Sequence, residues 1–179
     1  MNRNASILLV SIALASVALG GCVSRAVKEG FSGVTGAKGV GVPIRRLAPL
    51  GPIAELKLGP VSDDTGGNYP RAFMSKLPGM FAKQLAEAEL RMSPSGRKLR
   101  FEGVLIHYET ADVAGQLFGP LEEAIVRVRL IDADSGQVLG VANCVGRSTT
   151  TTRMGPDNKA DGVAKAMIAW VRDSQVASE

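Results

Sequence analysis

Between Glu122 and Ile131 the chain alternates strictly. Ala124, Val126, Val128 and Leu130 fall on one phase, and Arg127 and Arg129 fall on the other. A period of two sends successive side chains to opposite faces of a strand, so one face here packs and the other meets water. The run Asp132-Ala133-Asp134-Ser135-Gly136 reads as a hairpin turn, and Gln137 to Arg147 returns as the next strand. A hairpin with one apolar face needs a layer to cover it.

Two helical patterns supply that layer. Phe73, Met74, Leu77, Phe81 and Leu85 recur at spacings of three and four between Pro70 and Arg91. Pro78-Gly79 interrupts this run, so a kink or a fresh helix start is expected there. Near the end, Ala160, Val163, Ala164, Met167 and Val171 form a second stripe, with Asp157 or Asn158 as its expected cap. A strand precedes the first helix, at Ile53 to Val61, and another follows it, at Leu99 to Thr110. In the latter, Leu99, Phe101 and Leu105 are expected to face one way and Val104, Ile106 and Tyr108 the other, as in a central strand. The order β-α-β-β-β-α predicts a two-layer α/β domain, a mixed and largely antiparallel sheet with two helices on one face. Its first β-α-β step should cross over right-handedly if the strands are parallel.

The rest of the chain reads differently. Arg3 precedes an apolar run from Ala5 to Leu19, too short for the ~20 residues of a bilayer-crossing helix. Leu19-Gly20-Gly21-Cys22 follows, and the ensemble resembles the lipobox of bacterial lipoproteins. That resemblance implies a signal peptide over 1–21, acylation of Cys22 and anchoring to a membrane. Val23 follows the cysteine in place of Asp, which in Gram-negative lipoproteins of this type implies passage to the outer membrane, facing the periplasm. From 22 to 51 the glycines at 30, 33, 36, 39 and 41 and the excess of Lys and Arg predict a flexible basic tether. The folded domain is expected over 52–176.

The lipobox, the first helix and the stretch Gly119 to Leu139, with Val-Arg-Val-Arg-Leu-Ile-Asp and then Ser-Gly-Gln-Val-Leu, resemble small bacterial lipoproteins classed as domains of unknown function. Their topology is similar to the N-terminal domain of TolB and to lipoprotein activators of cell-wall synthases. The resemblance implies fold and compartment and carries over no catalytic residue.

Little in the residues points to chemistry. One His and two Cys exclude a multi-His centre and a four-Cys zinc site. His107 is the sole candidate base for a nucleophilic site, and its place mid-strand, on the side of Leu105 and Glu109, favours a structural role. Cys144 shares a phase with Gly140 and Ala142, a small-residue face on which a helix could lie, so an inert buried thiol is expected. Asp132-x-Asp134 fails the calcium-loop pattern, because Gly136, Gln137 and Asn143 stand where ligands and the sharp-turn Gly belong. Asp63-Asp64 lacks a second acidic cluster, and Gly33 to Gly41 lacks the Lys and Ser/Thr of a phosphate loop. No cofactor, metal or nucleic-acid partner is expected.

The connection from 111 to 121 is too apolar for an ordinary loop, and Leu117 and Phe118 in it are candidates for a partner surface. The functional expectation is a non-catalytic binding or assembly module of the cell envelope, with an envelope protein as partner. The alternative is a small periplasmic hydrolase, which would need His107 and Cys144 in one cleft with a carboxylate.

Overall fold

The computed structural model describes residues 37–110, 122–148 and 155–176. Residues 1–21, expected as a signal peptide, Cys22, and the pair Leu117 and Phe118 lie outside the described residues. The elements are β1 (Ala37–Arg45), β2 (Ile53–Asp63), α1 (Arg71–Glu87), β3 (Arg97–Glu109), β4 (Glu122–Asp132), β5 (Val138–Ser148) and α2 (Pro156–Val176). They form a five-stranded sheet in the order β1-β5-β4-β3-β2, with both helices packed on one face. β2 and β3 run parallel and the other three pairings are antiparallel. The two-layer α/β expectation is met, with one strand more than expected. Among the described residues no helix is long and apolar enough to cross a membrane.

The alternation in β4 sets the layer. Ala124, Val126, Val128 and Leu130 are fully buried, while Arg127 and Arg129 are exposed. From α1, Phe73, Leu77 and Phe81 descend at four-residue spacing into the same core. Phe81 meets Phe101 edge-on, with ring centroids 5.9 Å apart. Helix α1 continues through Pro78 and ends at Glu87, so neither a break nor an extension to Arg91 occurs. Helix α2 opens with Pro156 in place of a capping Asp157 or Asn158: Gly155 turns with φ 120°, and Pro is pre-set for the first helical position.

The tether expectation is corrected for its second half. Residues 37–45 are not a coil but an edge strand paired with β5, in register from Ala37 opposite Ser148. The glycines there serve packing. A Cβ on Gly39 would lie 2.1 Å from the Gly162 carbonyl oxygen, and one on Gly146 would lie 2.2 Å from that of Lys159. Three glycines on two strands and a helix thus let α2 lie directly on the backbone of β1 and β5. Pro43 is tolerated because β1 is an edge. The chain then crosses to β2, and the Leu50 N–H donates to the Ser174 carbonyl at 2.9 Å, which ties this connection to α2.

A second correction concerns β3. The register runs Leu105 opposite Val126 and then His107 opposite Ile125, so Ile106 is the extra residue of a bulge. One inserted residue reverses every side chain beyond it. Tyr108 therefore joins the core face, where its ring packs 5.5 Å from that of Phe73, and His107 turns to the open face.

Candidate functional site

The residues singled out in the sequence do not converge. His107 stands on the open sheet face, its side chain 47% exposed and its Nε2 3.8 Å from Glu109 Oε2. Cys144 stands on the helix-covered face and is fully buried, and burial pushes its thiol up to about 12. The sheet separates them, so they form no nucleophile–base pair. Asp63 is a loop organiser: its carboxylate accepts from the Thr65 hydroxyl at 2.6 Å, the Thr65 N–H at 2.8 Å and the Gly67 N–H at 3.0 Å. These bonds, the Thr65 hydroxyl foremost, hold it below the usual carboxylate value. Asp132 does the same for the hairpin, accepting from the Ser135 N–H and hydroxyl at 2.9 Å each, and its acidity is raised chiefly by that N–H. Among the described residues no group of three or more His, Cys, Asp or Glu could hold a metal ion.

One polar cluster lies where the core should be apolar. Lys159, in the first turn of α2, is fully buried. Its Nζ donates to the Glu109 carbonyl at 2.8 Å, lies 3.3 Å from Glu122 Oε2 and sits 3.8 Å above the centre of the Tyr108 ring. Glu122 Oε2 also accepts the Gly155 N–H at 2.7 Å, which fixes the entry to α2. Burial holds the Lys159 ammonium below its ordinary value, opposed by Glu122. Burial, with Glu122 beside it, raises Tyr108, whose Oη is buried with no hydrogen-bond partner among the described residues. With its carboxylate, carbonyl and ring partners in place, the Lys159 ammonium bridges β3, β4 and α2. Two signals for it existed in the sequence. Glu122 keeps the phase of Ala124 and Val126, and Lys159 stands four residues before Val163 in the apolar stripe.

The face of the sheet away from the helices exposes Arg127 and Arg129, with Val104, Val141 and Asn143 half-buried beside them and Ile131 and Val145 buried. Across it, Val104 of β3, Arg127 of β4 and Asn143 of β5 form one row, and Glu102, Arg129 and Val141 form the next. Glu102 is clamped by Arg100 and Arg129, 2.7 Å from each. Arg127 donates through Nε to Asn143 Oδ1 at 3.2 Å, and no carboxylate pairs with it among the described residues. Pro60 and Ser62 of β2 complete the wall of a groove of about 590 Å³ over these rows. Towards the β1 edge the face turns apolar, with Val40 48% and Val42 49% exposed. A smaller cavity of about 380 Å³ lies at the junction of β1 and α2, against Leu47 and Trp170.

No family model and no curated protein matches the chain. Solved structures of similar course include two of PelC from Paraburkholderia phytofirmans, both dodecamers, at 17% and 15% identity. Each covers 76% of this chain and 97% of that one, with a TM-score of 0.43. A third is protein XCC0632 from Xanthomonas campestris, of DUF330, at 13% identity, covering 76% and 96%, with a TM-score of 0.47. At these values the likeness carries nothing about this chain beyond the similar course.

Proposed function

We propose that this chain is a non-catalytic binding or assembly module of the cell envelope, held at the outer membrane by lipid on Cys22 and facing the periplasm. The observation that supports this reading is the open sheet face. It offers exposed valines beside arginines, the residue mixture on which binding surfaces draw. Leu117 and Phe118 are proposed as a further part of the partner surface.

A photo-crosslinking amino acid placed at Val42 in intact cells should yield discrete adducts with envelope components, while the same probe at Lys83 on α1 should not. Equal patterns from both positions would overturn the binding-face reading. For the anchor, Cys22→Ala should abolish acyl labelling and release the chain from outer-membrane fractions. A wild type freed by high salt would show that charge, not lipid, holds it, since salt screens ionic contacts but leaves buried acyl chains in place.

A further inference from the structure

The groove on this sheet face carries an excess of positive charge among the described residues, and exposed valines of β1 stand beyond it; together these specify a class of ligand. We propose that it binds a phosphate-headed amphiphile, with Arg127 and Arg129 holding the head and Val141, Val42 and Val40 receiving the chain. This inference rests on the binding-module reading and names what its open face takes.

Around the groove, Arg100, Arg127 and Arg129 face a single carboxylate among the described residues, Glu102. Two positive charges are left over, which matches a phosphate monoester of about −1.5 to −2 at neutral pH. Arg127 and Arg129 stand two residues apart on one face of β4, so their Cα atoms are separated by about 7 Å and both guanidinium groups reach one head group. Among the described residues the terminal N–H groups of Arg127 carry no bond, and a guanidinium fork suits bidentate phosphate contact. From Arg127 the surface passes to Asn143, its partner on β5, and then to Val42 on β1, with Val40 one row further on opposite Val145, while the row of Arg129 and Val141 ends on Arg45. The row from Arg127 to Val42 covers two strand spacings, about 10 Å, and Val40 lies two residues, about 7 Å, further along β1, both valines half open to solvent. The groove volume lies within the ~300–1,000 Å³ of small-molecule sites.

The test uses the full chain in neutral phosphatidylcholine nanodiscs with dodecyl phosphate bearing a diazirine in its tail. After photolysis, adducts are mapped by mass spectrometry. Adducts should concentrate on β1 and β5, and the same tail on a maltoside head should give at least ten-fold fewer. Arg127→Gln/Arg129→Gln should lower labelling at least ten-fold, and Lys83→Gln should not. Arg127→Gln alone leaves the Arg129–Glu102 pair intact, so it serves if the double variant unfolds, and a several-fold loss is expected. Equal labelling by the maltoside, adducts confined to the helices, or full competition by millimolar inorganic phosphate would overturn the inference. Crosslinks from Val42 in cells without amphiphile labelling would overturn it too, while leaving the binding-module reading standing.

Discussion

Lys159 Nζ and Glu122 Oε2 lie 3.3 Å apart with the lysine side chain fully out of solvent and the glutamate side chain 8% exposed. The pair joins the first turn of α2 to the start of β4. Its value lies less in the attraction than in what happens when one partner goes. Lys159→Met would leave a buried carboxylate with, among the described residues, the Gly155 N–H alone, at a cost of about 3–5 kcal/mol. The double variant Lys159→Met/Glu122→Leu should recover most of that loss, because an apolar pair of similar volume needs no desolvation. Chemical denaturation of the three proteins measures it. A double variant as unstable as the single one would mean that the pair itself is the stabilising element.

The same lysine predicts an alkaline signature. Its folded pKa is below the ordinary 10.5, so between the two values the unfolded chain binds more protons than the folded one. Stability from this group therefore rises with pH through that window and is level below it. Tyr108 acts in the opposite sense. Raised above 10.0, it favours the folded state below that pH and loses its contribution as the pH climbs further. The buried Cys144 thiol, raised from 9.0 to about 12, costs stability from about pH 9 upward but does so in both chains, so wild type should gain stability relative to Lys159→Met as pH rises towards 10.5. Parallel curves would refute this.

Acid should act on the turns. Asp63 and Asp132 have folded pKa values below 3.8, so their contributions are present above the unfolded value and fade as pH falls through the folded one. Asp132→Asn retains an acceptor for the Ser135 N–H but no titrating group. It should fold at neutral pH and lose less stability on acidification below pH 4 than wild type does, as read by thermal melts.

Glycine substitutions separate contact from conformation. Gly146→Ala drives a methyl group to 2.2 Å from the Lys159 carbonyl, against helix backbone that cannot rotate away. The expected loss is at least the ~1–3 kcal/mol of ordinary overpacking. Gly79→Ala, inside α1 with nothing within 4 Å of the new Cβ, should gain about 0.5–1 kcal/mol. Calorimetry on both variants gives opposite signs or rejects the packing account.

Truncation tests the first strand. A chain beginning at Gly36 should melt close to the full chain, since it keeps all of β1. One beginning at Leu50 strips β1 from β5 and uncovers part of α2, so it should lose several kcal/mol. Equal melting of the two would mean that β1 contributes no packing.

What the sequence determined by itself was periodicity and its consequences. The alternation of β4, the Asp132–Gly136 turn and the stripe ending at Val171 gave the hairpin, the covering helix and the α/β class, because each is a local pattern with one stable way to bury its apolar side. The open-face position of Arg127 and Arg129 was legible for the same reason. Partnership, by contrast, came from long-range packing. Gly39-Val40-Gly41-Val42 has strand periodicity, but its small residues carry meaning only when Gly162 of α2 lies against them. The bulge at Ile106 has no local marker, yet it sends Tyr108 into the core and His107 out of it. Lys159 and Glu122 were each in phase with apolar neighbours, and a buried charge becomes tolerable only once the fold brings its opposite within reach. Local pattern fixes which face of an element is buried, whereas long-range register fixes what it is buried against.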